Sequence, residues 1–260
     1  MMKQRSILSV SGSIVFTLAL FGIAAGSTAA AAEIKLLCAV ALQPAMDVLI
    51  PDFENTSGHK VTVAYGNAGA IADRFKQGEA ADLVINAAPL MEQLGAQGKV
   101  IAGDHITIAK VGVSAFVRKG AANPDMSSAD AFKRSILAAK SIIYPDPAGG
   151  GASGIYMASL LERLGIAAEM RSKTKLSPSA KVLYASVASG DVEIGFNQIS
   201  EVLAQPTVEF AGALPSAIQN YTNFAPGIVT TSNQTEAARA LVTFLTSRAA
   251  KAVLQAKGFE

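Results

Sequence analysis

Residues 144–156 read YPDPAGGGASGIY, and the reading of this loop decides the fold. Gly149, Gly151 and Gly154 fall on G-x-G-x-x-G spacing directly before a helical pattern, as in a dinucleotide fingerprint. In that fingerprint the strand runs almost straight into the first glycine. Here Pro145, Asp146, Pro147 and Ala148 intervene, and the two prolines predict an extended, turned entry. The acid that would hold a ribose should end the next strand. Glu169 stands 20 residues past Gly149, but in the polar segment AAEMRSKTK rather than in a buried strand. A Walker loop needs Lys-Ser/Thr after its last glycine, where Ile155-Tyr156 stands. A nucleophile elbow, G-x-S-x-G, would need glycine at Ile155. What remains is the physics of a helix N-terminus. Ser153 is expected to cap the helix GIYMASLLERLG, with Ile155, Leu160, Leu161 and Leu164 turned inward. Unpaired backbone N–H groups and a partial positive charge then form an anion seat, which glycines let a ligand approach closely. The purely structural alternative is a helix cap with a flexible lead-in.

Outward from the loop, short β-type runs alternate with helical patterns. IKLLCAV (34–40) precedes a helix through PAMDVLIPDFENTSG, KVTVAYG (60–66) precedes AGAIADRFKQGEA, and DLVINAA (82–88) precedes PLMEQLGAQGKV. Ile71, Phe75 and Leu83 fit a helix docking onto a neighbouring strand. ITIAKVGVSAFVRKG (106–120) is long enough for two short strands or a crossing segment. A second alternation follows: a helix over 128–140, strand SIIYP, a helix over 153–165, the polar connection AAEMRSKTKLSPS, a helix over 180–189 and strand VEIGFNQI. EFAGALPSAIQNYTNFAPGIV predicts a second hinge, stiffened by Phe224 and Pro226, that returns the chain to the first unit; two C-terminal helical segments finish the fold. The expected class is α/β: two lobes with mainly parallel central sheets covered by helices, joined by a two-segment hinge. The boundaries read are 33–113 plus 223–260 for lobe 1 and 114–222 for lobe 2. Ligands of open parallel sheets bind beyond the carboxyl ends of the strands, so both lobes would aim those ends at a shared cleft.

The first 32 residues have the layout of a cleavable signal peptide: Lys3 and Arg5, an apolar run around SIVFTLALFGIAAG, then STAAAAE, with cleavage after Ala30 or Ala32. The apolar run is short for a membrane span of about 20 residues. Without the leader, 20 Lys and Arg face 20 Asp and Glu, so no basic excess exists to displace nucleic-acid counterions. Aromatic residues make up 6% of the chain and Trp is absent, which argues against stacking platforms and carbohydrate clefts. Cys38, the single cysteine, reads as a buried core thiol. His59 and His105 have no neighbours at ligand spacing, so neither a metal site nor a cofactor is expected. Lys110, Lys175 and Lys181 read mainly as solvated lysines, Tyr144 and Tyr156 as core residues, and Asp73, Arg74, Lys76 and Glu79 as a solvated helix face.

The helix-start device of the glycine loop recurs at AVAL (39–42), YGNAGAI (65–71) and SPSAKV (177–182), where Ser179 offers a cap before the amides of Ala180 and Lys181. Such ends facing one cleft would hold an oxyanion or carboxylates without a buried base. These junctions, with ADLVINAA, SGIYMASLLERLG, SVASGDVEIGFNQISEV and AAKAVLQAKGF, are where the chain resembles the periplasmic molybdate-binding proteins of ABC transporters, within the type 2 periplasmic binding proteins. The resemblance runs from about residue 34 to the C-terminus. It implies two lobes enclosing a ligand, and delivery to an inner-membrane ABC permease. It also implies an anion held by hydroxyls and backbone amides at these junctions. Carried over by position, the ligand-binding residues are Ala41, Asn67, Ala68, Gly69, Ser153, Gly154, Ala180, Lys181 and Gln198. Ala41 stands in place of a serine, Asn67, Ala68 and Gly69 replace serines at the second junction, and Gln198 replaces a tyrosine.

Losing several hydroxyl donors, each charge-assisted bond contributing roughly 1.5–3 kcal/mol, should weaken molybdate and leave room for a larger guest. Asn67 and Gln198 both donate and accept, which suits a carboxylate. The expectation is a secreted, monomeric, periplasmic solute-binding protein of an ABC importer that takes a small anion, an organic carboxylate ahead of molybdate or tungstate, and is not an enzyme. A periplasmic ligand sensor and an anion-processing enzyme are the rivals. The enzyme would need a poised nucleophile or metal cluster, and no motif supplies one.

Overall fold

The structure, a computed structural model, describes residues 31–102 and 106–260; the leader up to Ala30 and His105 lie outside the described residues. The chain builds two sheets in turn. The first collects β1 (Glu33–Ala39), β2 (Lys60–Gly66), β3 (Leu83–Ala87), β4 (Val100–Ala102) and β5 (Ala109–Val111). The second collects β6 (Val113–Arg118), β7 (Ile142–Pro145), β8 (Thr174–Ser177), β9 (Ile194–Gln198) and β10 (Val208–Ala213) before β11 (Thr222–Val229) returns to the first. The strand orders are β2-β1-β3-β11-β4, with β5 also on β11, and β10-β6-β9-β7-β8. The βαβ units β1/β2, β1/β3, β7/β8 and β7/β9 pair in parallel, as strand–helix alternation requires. The crossing strands β11 and β6 pair antiparallel with their neighbours, because they enter each sheet from the opposite lobe.

Helices cover both faces of each sheet. On the first, α1 (Gln43–Ser57), α9 (Thr235–Leu245) and α10 (Arg248–Ala256) bury Leu49, Phe53, Leu241 and Leu254 on one side. On the other side α2 (Ala68–Lys76) and α3 (Ala88–Ala96) bury Ile71, Phe75, Met91 and Leu94. On the second sheet, α4 (Ala129–Ala138), α5 (Ala152–Arg163) and the short α6 (Ala167–Met170) face α7 (Ala180–Ala188) and α8 (Ile199–Leu203) across the strands. Cys38 is fully buried in the first core, and that burial pushes its thiol well above the ordinary range.

Three local readings are corrected. The polar connection AAEMRSKTKLSPS contains β8, whose polar character reflects its place at the sheet edge, where Lys175 and Leu176 are exposed. Ile155 points to solvent at 51% exposure rather than inward, because the buried stripe of α5 runs through Ser153, Gly154, Met157, Leu160 and Leu161. The segment read as a second hinge begins inside β10, an ordered edge strand, and the crossing proper lies between Ala213 and Thr222.

The chain passes between the sheets at Gly112 and again through residues 214–221. The Gln219 side chain ties these passages together: its Oε1 accepts from the Val113 amide at 2.8 Å and its Nε2 donates to the carbonyls of Val113 at 3.0 Å and Leu214 at 3.3 Å. Gly112 lets the Gln219 carboxamide pack close to the chain, since a Cβ there would stand 2.9 Å from it.

Candidate functional site

The strand-to-helix junctions converge on one space between the lobes. A cavity of about 230 Å³ is lined from the first lobe by Ala39, Val40, Ala41, Asn67, Ala68 and Phe224. From the second it is lined by the loop around Gly149–Ser153, by Ser177–Ala180, and by Asn197, Gln198 and Glu201. The convergence follows from topology: the parallel strands of both sheets end here, and small residues at their ends leave helix N-termini uncovered. α2, α5 and α7 open at Ala68, Ala152 and Ala180, so the N-terminal residues Ala68, Ala152, Ser153 and Ala180, whose amides have no intrahelical acceptor, lie at the wall.

Of the residues read from the sequence, Ala41, Asn67, Ala68, Ser153, Ala180 and Gln198 line the cavity. Gly69, Gly154 and Lys181 are placed otherwise. The Gly69 amide donates across the cleft to the Gly150 carbonyl at 3.1 Å. Gly154 lies beneath the wall against the Pro145 carbonyl. Lys181 is exposed, Lys110 pairs with Glu260 at 2.8 Å, and Lys175 donates to the Asp191 carbonyl. Phe224, read as a hinge residue, borders the cavity while its ring packs edge-on against Phe259 in the first core. Ser153 is not the cap of α5. Gly151 holds that position without a side-chain bond, and the Ser153 hydroxyl donates to Asn197 Oδ1 at 2.8 Å. Ser179 does cap α7, accepting from the Val182 amide.

Several polar residues organise the site that no motif announced. Asn86, buried in β3, donates to the Ala68 carbonyl at 2.8 Å and so fixes the start of α2. The Asn67 side chain reaches from the first lobe to Gly149 and Gly151. Gln198 donates to Thr222 Oγ1 at 2.9 Å and Ser200 to the Ala41 carbonyl at 2.8 Å, so the lobes stand closed around the cavity. The one signal in the sequence was the run GFNQISE, whose consecutive polar residues follow a buried strand without a turn.

Asn197 is the centre of a buried network. Its Oδ1 accepts from Ser153, and its Nδ2 donates to Tyr184 Oη at 3.0 Å and to the Glu201 carboxyl. Glu201, on the first turn of α8, is partly buried with its carboxyl enclosed where the lobes meet. Loss of solvent pushes the carboxyl up to about 7, against which the Asn197 bond acts. Burial, and then the Glu201 charge, pushes the Tyr184 hydroxyl upward as well, keeping it neutral. A carboxyl raised from 4.5 to about 7 on folding binds its proton more tightly in the native state. Stability from this group is therefore present at pH 5 and lost as pH rises through 7, by up to roughly 3 kcal/mol. Urea unfolding of the ligand-free protein at pH 5 and pH 8 measures this. Glu201→Gln should flatten the difference, and an unchanged pH slope in the variant contradicts the assignment.

Residues 34–260 match the family described as bacterial extracellular solute-binding protein. An aconitate isomerase from a Pseudomonas species is 33% identical over 210 residues, covering 78% of each chain. The molybdate-binding protein ModA of Azotobacter vinelandii is 25% identical over 234 residues, 89% of this chain and 91% of its own. The solved periplasmic molybdate-binding protein of Azotobacter vinelandii superimposes with a TM-score of 0.73 at 17% identity, covering 87% of this chain and 98% of that one; that likeness is one of fold.

Proposed function

The chain belongs to the bacterial extracellular solute-binding proteins, and from that premise we propose that its cleft captures a small organic polycarboxylate by closing over it. The two-lobed architecture is that of the type 2 periplasmic binding proteins. The observation that carries the ligand class is the mixed wall of the cavity. Helix-terminal amides and the carboxamides of Asn67 and Gln198 supply donors from several directions, while Val40, Pro145 and Ala180 present apolar surface between them. Carboxylate groups meet the first set and a carbon skeleton meets the second. A bare tetrahedral oxyanion has nothing to place against Val40 and Pro145. The relative whose name includes aconitate, a tricarboxylate, supports this class; the molybdate-binding relative supports the competing one.

Binding drives closure because the ligand touches both lobes only in the closed form. In this reading the monomeric protein works in the periplasm and hands its cargo to an ABC permease that recognises the closed lobes. A sensor would use the same clamp. Differential scanning fluorimetry with citrate, tricarballylate, aconitate, malate, sulfate and molybdate tests the ligand class. A tricarboxylate at 100 times its dissociation constant should stabilise by about 2.7 kcal/mol, roughly 5–10 °C for a chain of this size. A shift with molybdate and none with any carboxylate would reverse the assignment.

A further inference from the structure

Glu201 has no place in a simple anion clamp. A carboxylate in the wall repels the ligand the helix ends attract, and a neutral glutamine would fill the same volume. Yet this side chain lines the ligand cavity and also borders a second space on the rim, formed by Val40, Gln43, Asp47, Tyr184 and Gln205. It stands between the ligand cavity and the rim space, oriented by Asn197, which Ser153 and Tyr184 hold in turn. The ionisable groups bordering these spaces are Tyr184 on α7, Asp47 on α1 and Asp146 after β7, all of them acids. Resting on the reading that the cleft holds a polycarboxylate, and on the likeness to an aconitate isomerase, we propose that Glu201 is the residue that carries a proton to and from carbon in a bound unsaturated polycarboxylate, through which this chain would isomerise its ligand.

The step balances within the ligand and this one residue. As a carboxylate, Glu201 takes a proton from the saturated carbon adjoining the double bond. The C–H electron pair moves into the conjugated system, and the added charge comes to rest on carboxylate oxygens facing the first-turn amides of α2, α5 and α7. Preorganised donors stabilise such developing charge in a water-poor site. Glu201 then returns a proton to the far carbon, and the double bond re-forms one position along in either geometry. Burial that keeps the carboxyl near 7 leaves both its forms present at neutral pH, as an acid that must also act as a base requires. The rim space gives the carboxyl a path for exchange with solvent between turnovers.

The test follows cis-aconitate and trans-aconitate with the purified protein in heavy water by proton NMR, with binding measured separately by the thermal shift from tricarballylate, which has no double bond. The wild type should interconvert the two isomers and place deuterium on carbon. Glu201→Gln should slow both processes by about 100-fold or more while keeping the tricarballylate shift. Glu201→Asp, which retains a carboxyl, should recover part of the exchange and decides the matter if the glutamine variant does not fold. A wild type that is stabilised by tricarballylate but exchanges no carbon-bound hydrogen overturns this inference and leaves the binding function standing. So does a folded glutamine variant with the wild-type exchange rate. No shift with any polycarboxylate overturns both.

Discussion

Gly154→Ala is expected to lower the melting temperature by roughly 6–12 °C, a loss of about 3 kcal/mol at the top of the range for overpacking. A Cβ at this position would stand 2.0 Å from the Pro145 carbonyl oxygen and 2.8 Å from its carbon. Both are backbone atoms of the strand end on which α5 rests, so no side-chain rotation relieves the overlap. Helix propensity acts in the opposite direction, since alanine favours a helix by up to about 1 kcal/mol over glycine. The steric effect wins because α5 must lift from β7 as a whole. That movement also displaces the amides of Ala152 and Ser153 from the cavity, so binding should fall with stability. Thermal unfolding with and without ligand measures both, and a variant that melts within 2 °C of the wild type contradicts this packing.

Gly69→Ala should have the reverse profile: stability kept or slightly raised, ligand affinity reduced about 10- to 100-fold. Gly69 lies in the first turn of α2, where alanine is the better helix former. Across the cleft its Cα faces Gly150, and an added Cβ would come within 2.9 Å of the Gly150 Cα. The pair also share the 3.1 Å hydrogen bond that closes the mouth. Gly150 is held at φ +72°, which keeps its carbonyl turned toward α2 and excludes a ready side-chain replacement. The methyl group therefore acts only on the closed form, wedging lobes that remain free to open. A ten- to hundredfold loss corresponds to about 1.4–2.8 kcal/mol of closed-state stability. Isothermal titration with the ligand found by the thermal screen is the measurement; unchanged affinity would mean the two glycines do not meet when ligand is bound.

Much of this site was legible because it lies where local rules are strongest. Strands of four to eight apolar residues followed by small residues and an amphipathic helix specify strand ends and helix starts, and Ala41, Asn67, Ala68, Ser153 and Ala180 sit at those points. Glu201 and Asn197 were read over because their meaning is tertiary. The glutamate matters only when α8 is folded against the neck of the cleft, beside a tyrosine from α7 and a serine from α5. Ser153 was assigned to capping by residue type, yet a buried acceptor on another strand competes for its hydroxyl and wins. The meeting of Gly69 and Gly150 depends on how two lobes approach, and no spacing within one chain segment encodes it.

The carboxamide of Gln219, grasping both passages of the neck, limits what kinds of motion are open to the protein. Two independent strands would let one half of the molecule swivel and slide against the other as well as bend. Fastened side by side, they behave as a ribbon, which flexes readily about one axis and resists torsion. The mouth then returns to the same alignment on each cycle, so Asn67 meets its glycine loop without a search over misaligned approaches.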